Sequence, residues 1–264
     1  MSLKDNSKIK AIFFDVDGTL LSHKQNKVPD STVKAFDKLR EKGIRTIVAT
    51  GRHMTELQTL PVMCLHFDAY ITLNGQVILD ENKKFLLGTP INEKEMDVLT
   101  QIFNGNKIPF MLCGSEHRYI NHLDDTVIKT QMATKGKIPQ IDQYKGEPIY
   151  QILAFIPEHQ KQVLSEFLDY CVIKSWYDTG VDIIPIDGGK SVGIKKYIDT
   201  LGIDISETMA FGDAENDIDM LQTVGIGVAM GNGKPEVKEI ADYVTDDIDE
   251  DGIEKALIHF GLID

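Results

Sequence analysis

Three features of the 264-residue sequence predict an α/β fold, a parallel-sheet core interrupted by an inserted α+β domain. At both ends of the chain, short β-branched or apolar runs alternate with amphipathic helical stretches, the pattern of a sheet covered on both faces. In the middle the order changes to strand, helix, strand, strand, and then roughly repeats. Four polar stretches each end an apolar strand or open the helix after one, where open α/β sheets bind their ligands.

The predicted core strands are 9–14, 44–49, 68–73, 208–212, 226–230 and 241–245. Pro29-Asp30-Ser31 opens a helix that carries Val33, Phe36 and Leu39 on one side and stops at Gly43. After Lys190 a second helix carries Ile194, Ile198 and Leu201 and ends at Gly202. In the insert, Asn92-Glu93-Lys94-Glu95 reads as a capping box for a helix to Phe103, followed by a strand from Ile108 to Cys113. Ile149 to Ile156 is strand-like, Glu158 to Tyr170 helical, and Val172 to Trp176 and Val181 to Ile184 strand-like again. The expected domains are a discontinuous core, 1–83 and 186–264, and an insert, 84–185, long enough to be a domain in itself.

Composition narrows the function. The net charge of −13 disfavours nucleic acid or an anionic membrane as partner, so any positive field for an anionic substrate must be local. No apolar stretch has the length of a membrane span and no signal peptide is recognisable, so a cytoplasmic protein is expected, a monomer or weak homo-oligomer. Cys64, Cys113 and Cys171 lack the spacing of a zinc site or disulfide framework and are expected to be reduced core thiols.

The chemistry lies in the four stretches. The first strand runs into Asp15-Val16-Asp17-Gly18-Thr19, where extended backbone would send both carboxylates to one side and the glycine lets the chain turn. Thr50-Gly51-Arg52 ends the second strand with a hydroxyl and backbone N–H groups suited to phosphate oxygens. Gly188-Gly189-Lys190-Ser191 delivers one ammonium to a helix start, and Gly212-Asp213-Ala214-Glu215-Asn216-Asp217 is an acidic turn.

Together they suit attack by Asp15 on a phosphomonoester, followed by hydrolysis of an aspartyl-phosphate. Repulsion between nucleophile and phosphate grows from about 1 to about 4 kcal/mol per charge pair between water and a partly buried site, so a cation must offset it. Asp15, the Asp17 carbonyl and Asp213 can hold Mg²⁺, with Asp217 fixing it directly or through a water. Lys190 would neutralise Asp15 and the phosphate, Thr50 and Gly51 would hold the transferring oxygens, and Asp17 would act as general acid and base.

DVDGT, the threonine of VATGR, the lone loop Lys190 and GDAEND resemble, in chain order, the four motifs of the haloacid dehalogenase superfamily. The resemblance covers essentially the whole chain and implies a Rossmann-like core and Mg²⁺, with Asp15 as nucleophile and Asp17 as acid–base. Thr50, Lys190, Asp213 and Asp217 match the remaining positions, and Asn216 one that often supports the phosphate-side loop. Thr50 follows Asp17 by only 33 positions whereas Lys190 follows Thr50 by 140, so a cap fits only the second interval. An α+β cap there is similar to the type IIB, Cof-like phosphatases (cap type C2B), which implies small phosphorylated metabolites, above all sugar phosphates, as substrates.

Other readings are weaker. EF-hand spacing puts Leu20 or Ile218 where glycine is required. Gly231-Asn232-Gly233-Lys234 lacks phosphate-loop spacing and is expected to be a turn, as is Asn74-Gly75. Arg52 could face the site or the cap, and of the histidines only His23 and His53 adjoin the catalytic loops. A hexose phosphomutase would use the same aspartates, a dehalogenase would not need Asp17 or the Asp213/Asp217 pair, and a non-catalytic sugar-phosphate sensor would be expected to lack a catalytic carboxylate.

Overall fold

The computed structural model describes residues 9–134 and 136–264. Positions 1–8 of the predicted core and Lys135 of the predicted insert lie outside the described residues. In chain order the elements are β1 (Ala11–Phe14), α1 (Asp30–Glu41), β2 (Arg45–Ala49), α2 (Met54–Leu57), β3 (Ala69–Thr72), β4 (Val77–Asp80) and β5 (Phe85–Gly88). Then come α3 (Glu93–Gly105), β6 (Phe110–Cys113), β7 (Arg118–Ile120), α4 (Asp125–Ala133), β8 (Gln151–Ala154), α5 (Glu158–Ser165), β9 (Cys171–Tyr177) and β10 (Gly180–Pro185). The chain closes with α6 (Lys190–Leu201), β11 (Thr208–Gly212), α7 (Ile218–Thr223), β12 (Ile226–Ala229), α8 (Pro235–Ile240), β13 (Tyr243–Val244) and α9 (Gly252–His259). Among the described residues, no helix is long and apolar enough to cross a membrane.

Two compact units divide the chain. The first holds the described residues up to Arg52, then Leu57–Leu86 and Gly189–Asp264; the second holds His53–Glu56 and Leu87–Gly188. Nothing in the composition of His53–Glu56 marks that short segment as part of the second unit.

The first unit carries the predicted parallel sheet, with strand order β13-β12-β11-β1-β2-β3-β4-β5. β1 sits between β11 and β2, parallel to both, with Ala11 opposite Thr208 on one side and Arg45 on the other. All four of its residues are fully buried, which is why it reads as a continuous apolar run and not as an alternation. This register brings the carboxyl ends of β1, β2 and β11 to one edge. One strand is not marked by the sequence, β4, antiparallel to β3. The strand expected to open the insert is β5, but it forms the edge of this sheet, with Phe85, Leu86 and Leu87 exposed.

Helix α1 follows Pro29 and ends before Gly43 at φ +71°, with Asp30 in its first turn and Lys38 and Arg40 in its last, as the helix dipole favours. It buries Thr32, Ala35, Phe36 and Leu39, so the inward face is rotated from the predicted one and Val33 is half-buried. In α6, Ile194 and Ile198 are buried beside Tyr197, whereas Leu201, the last residue before the left-handed Gly202, is exposed.

The second unit is built on an antiparallel sheet of order β7-β6-β8-β10-β9, packed on α3 through Leu99, Phe103, Phe110, Leu112, Ile152, Ala154, Val181 and Ile183. Asn92 caps α3, its side chain accepting from Glu95 N at 2.9 Å. The predicted box stays half closed, because the buried Glu95 carboxylate accepts from Tyr170 N–H instead. Helix α5 is shorter than predicted. Of the cysteines, Cys113 and Cys171 are buried thiols, but Cys64 is exposed at the end of a short 3-10 turn, Pro61–Cys64.

Candidate active site

At the carboxyl edge of β1, Asp15 N donates to the Phe211 carbonyl at 3.0 Å, one last rung of the sheet before the chain turns. Leu20 and Leu21 then close the turn by donating to the Val16 carbonyl at 3.0 and 2.8 Å. Gly18 has φ +83°, and a Cβ there would lie 2.3 Å from Asp213 Oδ2, so the position needs glycine for both conformation and space. The loop can therefore press directly against the acidic turn after β11.

Lys190, the first residue of α6, is wholly buried and donates from Nζ to Oδ1 of Asp15 and Oδ1 of Asp217, each at 2.5 Å. Its helix start is held by Asp219, whose Oδ2 accepts from Ser191 N at 3.1 Å. Asp217 accepts with Oδ2 from the N–H groups of Asp213 and Ala214, both at 3.0 Å, so the acidic turn is folded around its own carboxylate. Thr19 Oγ1 donates to Asp213 Oδ1 at 3.1 Å.

Burial and the Asp217 charge hold the Asp15 carboxyl well above its usual range, with Lys190 opposing them. Burial, then Asp217, pushes Asp213 up to about 7, against the pull of the Thr19 hydroxyl. Desolvation would lower Lys190, yet the two aspartates outweigh it and hold the ammonium above its ordinary value. Three carboxylates thus share a buried space with one cation. Oxygens of Asp15, Asp213 and Asp217 lie within 4.8 Å of one another, an all-oxygen donor set suited to a hard divalent cation. Burial first, and then the neighbouring carboxylate charge, raises Asp15 and Asp213, and a bound cation would offset both.

Asp17 takes a different cation from Asp15. Arg52 grips it with a two-pronged fork, Nε to Oδ2 at 2.6 Å and Nη2 to Oδ1 at 2.9 Å. Strand β1 ends at Phe14, so strand alternation does not govern where Asp17 points. Thr50 is buried and its Oγ1 accepts from Arg52 N at 3.2 Å, while its carbonyl accepts from Asn74 N at 3.0 Å. Gly51 lies against Asn74, and Asn216 Nδ2 is 3.5 Å from Asn74 Oδ1.

All eight residues singled out from the sequence, Asp15, Asp17, Thr50, Gly51, Lys190, Asp213, Asn216 and Asp217, therefore lie in the first unit on loops that touch one another. Three more residues contribute whose local sequence signals only a turn or fits more than one place. Arg52 orients Asp17; Asn74 packs on the Thr50–Arg52 loop; Asn232 donates from Nδ2 to the Gly18 carbonyl at 2.7 Å and accepts from Ile248 N at 2.9 Å. The Gly-Asn-Gly composition around Asn232 signals a turn, but the partners are distant in sequence.

A largely parallel sheet with this cluster of carboxylates and one lysine at its carboxyl edge is the arrangement of an α/β enzyme. Residues 12–257 match the family model of haloacid dehalogenase-like hydrolases, and the chain belongs to that family. The resemblance carried by the four motifs and the predicted α/β fold are both borne out. YkrA of Bacillus subtilis strain 168, whose name gives phosphatase as an inferred activity, is 35% identical over 96% of this chain and 98% of its own. The pyridoxal phosphate phosphatase YbhA of Escherichia coli K12 is 27% identical over 92% of this chain and 96% of its own. Among solved structures, the phosphatase-superfamily member BT1666 of Bacteroides thetaiotaomicron superposes with a TM-score of 0.88 at 30% identity, covering 97% of this chain and 96% of that one. The subclass IIB sugar phosphatase BT4131 gives 0.84 at 33% identity, covering 96% of this chain and all of that one.

Proposed function

We propose that this haloacid dehalogenase-family enzyme is a Mg²⁺-dependent phosphomonoester hydrolase that works through an aspartyl-phosphate on small phosphorylated metabolites, sugar phosphates foremost. The observation that carries the reading is the buried Lys190, shared by Asp15 and Asp217 with Asp213 alongside. Asp15 attacks phosphorus and the ester oxygen leaves. Asp17 gives that oxygen a proton and then takes one from the water that opens the acyl phosphate, regenerating Asp15. Thr50 Oγ1, Gly51 N–H and the Asn216 amide hold the phosphoryl oxygens, and Lys190 neutralises charge on the nucleophile side.

Asp15, the Asp17 carbonyl and Asp213 would hold Mg²⁺, with Asp217 reaching it directly or through a water. The bound ion supplies positive charge opposite the phosphate dianion. The arginine fork keeps Asp17 aimed, which positions its proton transfer. The substrate class is supported by the names of similar proteins, a sugar phosphatase and a pyridoxal phosphate phosphatase, both of which denote small polar phosphomonoesters. We take the insert, residues 84–185, as the cap domain.

Phosphate release from sugar phosphates, nucleotides, pyridoxal phosphate and flavin mononucleotide, with Mg²⁺ and then with chelator, tests the proposal. Mg²⁺-dependent release concentrated on hexose or pentose phosphates is expected. Metal-independent release would overturn the ion's role, and a phosphorylated isomer without free phosphate would make the enzyme a mutase.

A further inference from the structure

Leu73, Asn74 and Gly75 form three successive left-handed residues, with φ of 52°, 53° and 94°. Two adjacent non-glycine residues there are costly, and such backbone persists only where its surroundings over-determine it. In this chain the surroundings are the loops of the candidate active site. Leu73 N donates to the Arg52 carbonyl at 3.2 Å and Asn74 N to the Thr50 carbonyl at 3.0 Å, so the turn ties the Thr50–Arg52 loop at both ends. A Cβ on Gly75 would lie 2.0 Å from the Gly189 carbonyl oxygen, which places the turn hard against the start of the Lys190 helix.

The Asn74 side chain completes the wedge. It is 2% exposed, its Oδ1 is 3.5 Å from Asn216 Nδ2, and a Cβ on Gly51 would fall 3.0 Å from Oδ1 and 3.2 Å from Nδ2. Gln76 Nε2 donates to the Asn74 carbonyl at 3.2 Å and fixes the turn from behind. A hairpin turn needs a left-handed residue at this point, but glycine would serve without strain, and a turn alone gives no reason for a buried carboxamide between two other loops.

We propose that Asn74 is a positioning residue for phosphate binding: its amide sets the spacing between Gly51 and Asn216, so that both aim at the same phosphoryl oxygens. This inference rests on the phosphatase reading above. Asn74 touches the groups that hold phosphate and is not itself assigned a contact with it.

The test uses the full chain with Mg²⁺ and two variants. Asn74→Gly keeps the left-handed turn and the N–H bond to Thr50 but removes the amide; Asn74→Asp keeps the shape and adds a negative charge. Each is measured by the shift in thermal midpoint on titrating inorganic phosphate, and by KM and kcat for an aryl phosphate. Without phosphate, the melting point of Asn74→Gly balances relieved left-handed strain against the lost contacts of a buried amide, and it is the baseline from which the phosphate-induced shift is read. Its phosphate affinity should fall about tenfold and its KM rise about as much, the scale of one hydrogen bond to a charged group, with kcat changed less than about threefold. Asn74→Asp should bind phosphate more weakly still, through like-charge repulsion. Parent-like phosphate affinity in Asn74→Gly, or a loss confined to melting temperature, would overturn the inference. A parent that neither hydrolyses phosphomonoesters nor responds to phosphate would instead overturn the phosphatase reading, and this inference would fall with it.

Discussion

Replacing Lys190 by methionine removes the one positive charge between Asp15 and Asp217 while roughly keeping the length of the side-chain stem. In the parent, Nζ lies 2.5 Å from a carboxylate oxygen of each aspartate, and both Lys190 and Asp217 are fully buried. A pair of unit charges 4 Å apart is worth about 4 kcal/mol at an effective dielectric of 20, and two such pairs oppose a desolvation cost of several kcal/mol per ion. The intact triad therefore adds little net stability, but breaking it from one side strands two buried carboxylates. That loss is expected to be about 3–5 kcal/mol, a large part of a typical folding free energy.

The loss has a definite pH dependence. Burial and Asp217 already raise the Asp15 carboxyl, and without the ammonium that opposes them it rises further. A carboxyl raised on folding binds a proton that the unfolded chain releases, so its cost is absent below the unfolded value and grows as pH rises. The deficit of Lys190→Met should thus be largest near pH 7.5 and shrink toward about pH 5. Urea unfolding at both pH values, without divalent cation, measures it. Far-UV ellipticity is the readout, because the single tryptophan, Trp176, lies in the second unit. Adding Mg²⁺ should recover part of the deficit through binding to the folded state. A variant within about 1 kcal/mol of the parent at pH 7.5 without Mg²⁺ would refute the charge argument.

Two further outcomes are expected. Arg52→Lys keeps the charge beside Asp17 but replaces a fork by a point, so kcat for an aryl phosphate should fall about tenfold with KM little changed; an unchanged kcat would show that the fork does not orient the proton transfer. His53 is 2% exposed, and burial followed by the Arg118 charge lowers it from 6.5 to about 4. Because the unfolded chain binds a proton that folded His53 refuses, stability should drop as pH falls from 6.5 toward 4, by up to about 3 kcal/mol. His53→Gln should flatten that interval of the urea stability curve, and a slope equal to the parent's would remove His53 as its source.

The parts of this protein that were legible in its sequence are those governed by local pattern. Strand β1 reads as buried because all four of its residues are apolar, and the four polar stretches read as a site because each follows a parallel strand whose carboxyl end must lie at one edge. The strand that opens the insert in the sequence pattern, β5, belongs instead to the edge of the core sheet, because its place depends on pairing beside β4 and no local pattern gives that partner. The rotation of α1 escaped for a related reason: Thr32 and Ala35 are small enough to face inward in place of Val33.

Partner choice inside the site was less legible than convergence, and the two have different physical origins. Convergence follows from topology, since a parallel register forces the loops after β1, β2 and β11 together whatever side chains they carry. Pairing depends on side-chain reach over long sequence separations: Arg52 meets Asp17 across 35 positions, Lys190 meets Asp15 across 175, and Asn232 meets Gly18 across 214. Asn74-Gly75 shows the limit most sharply. Its dipeptide signals a hairpin turn and forms one, joining β3 to β4, yet the consequence of that turn is set by Thr50, Gly189 and Asn216, which no local pattern connects to it. A turn residue gains a role at the site only through the loops that topology brings against it.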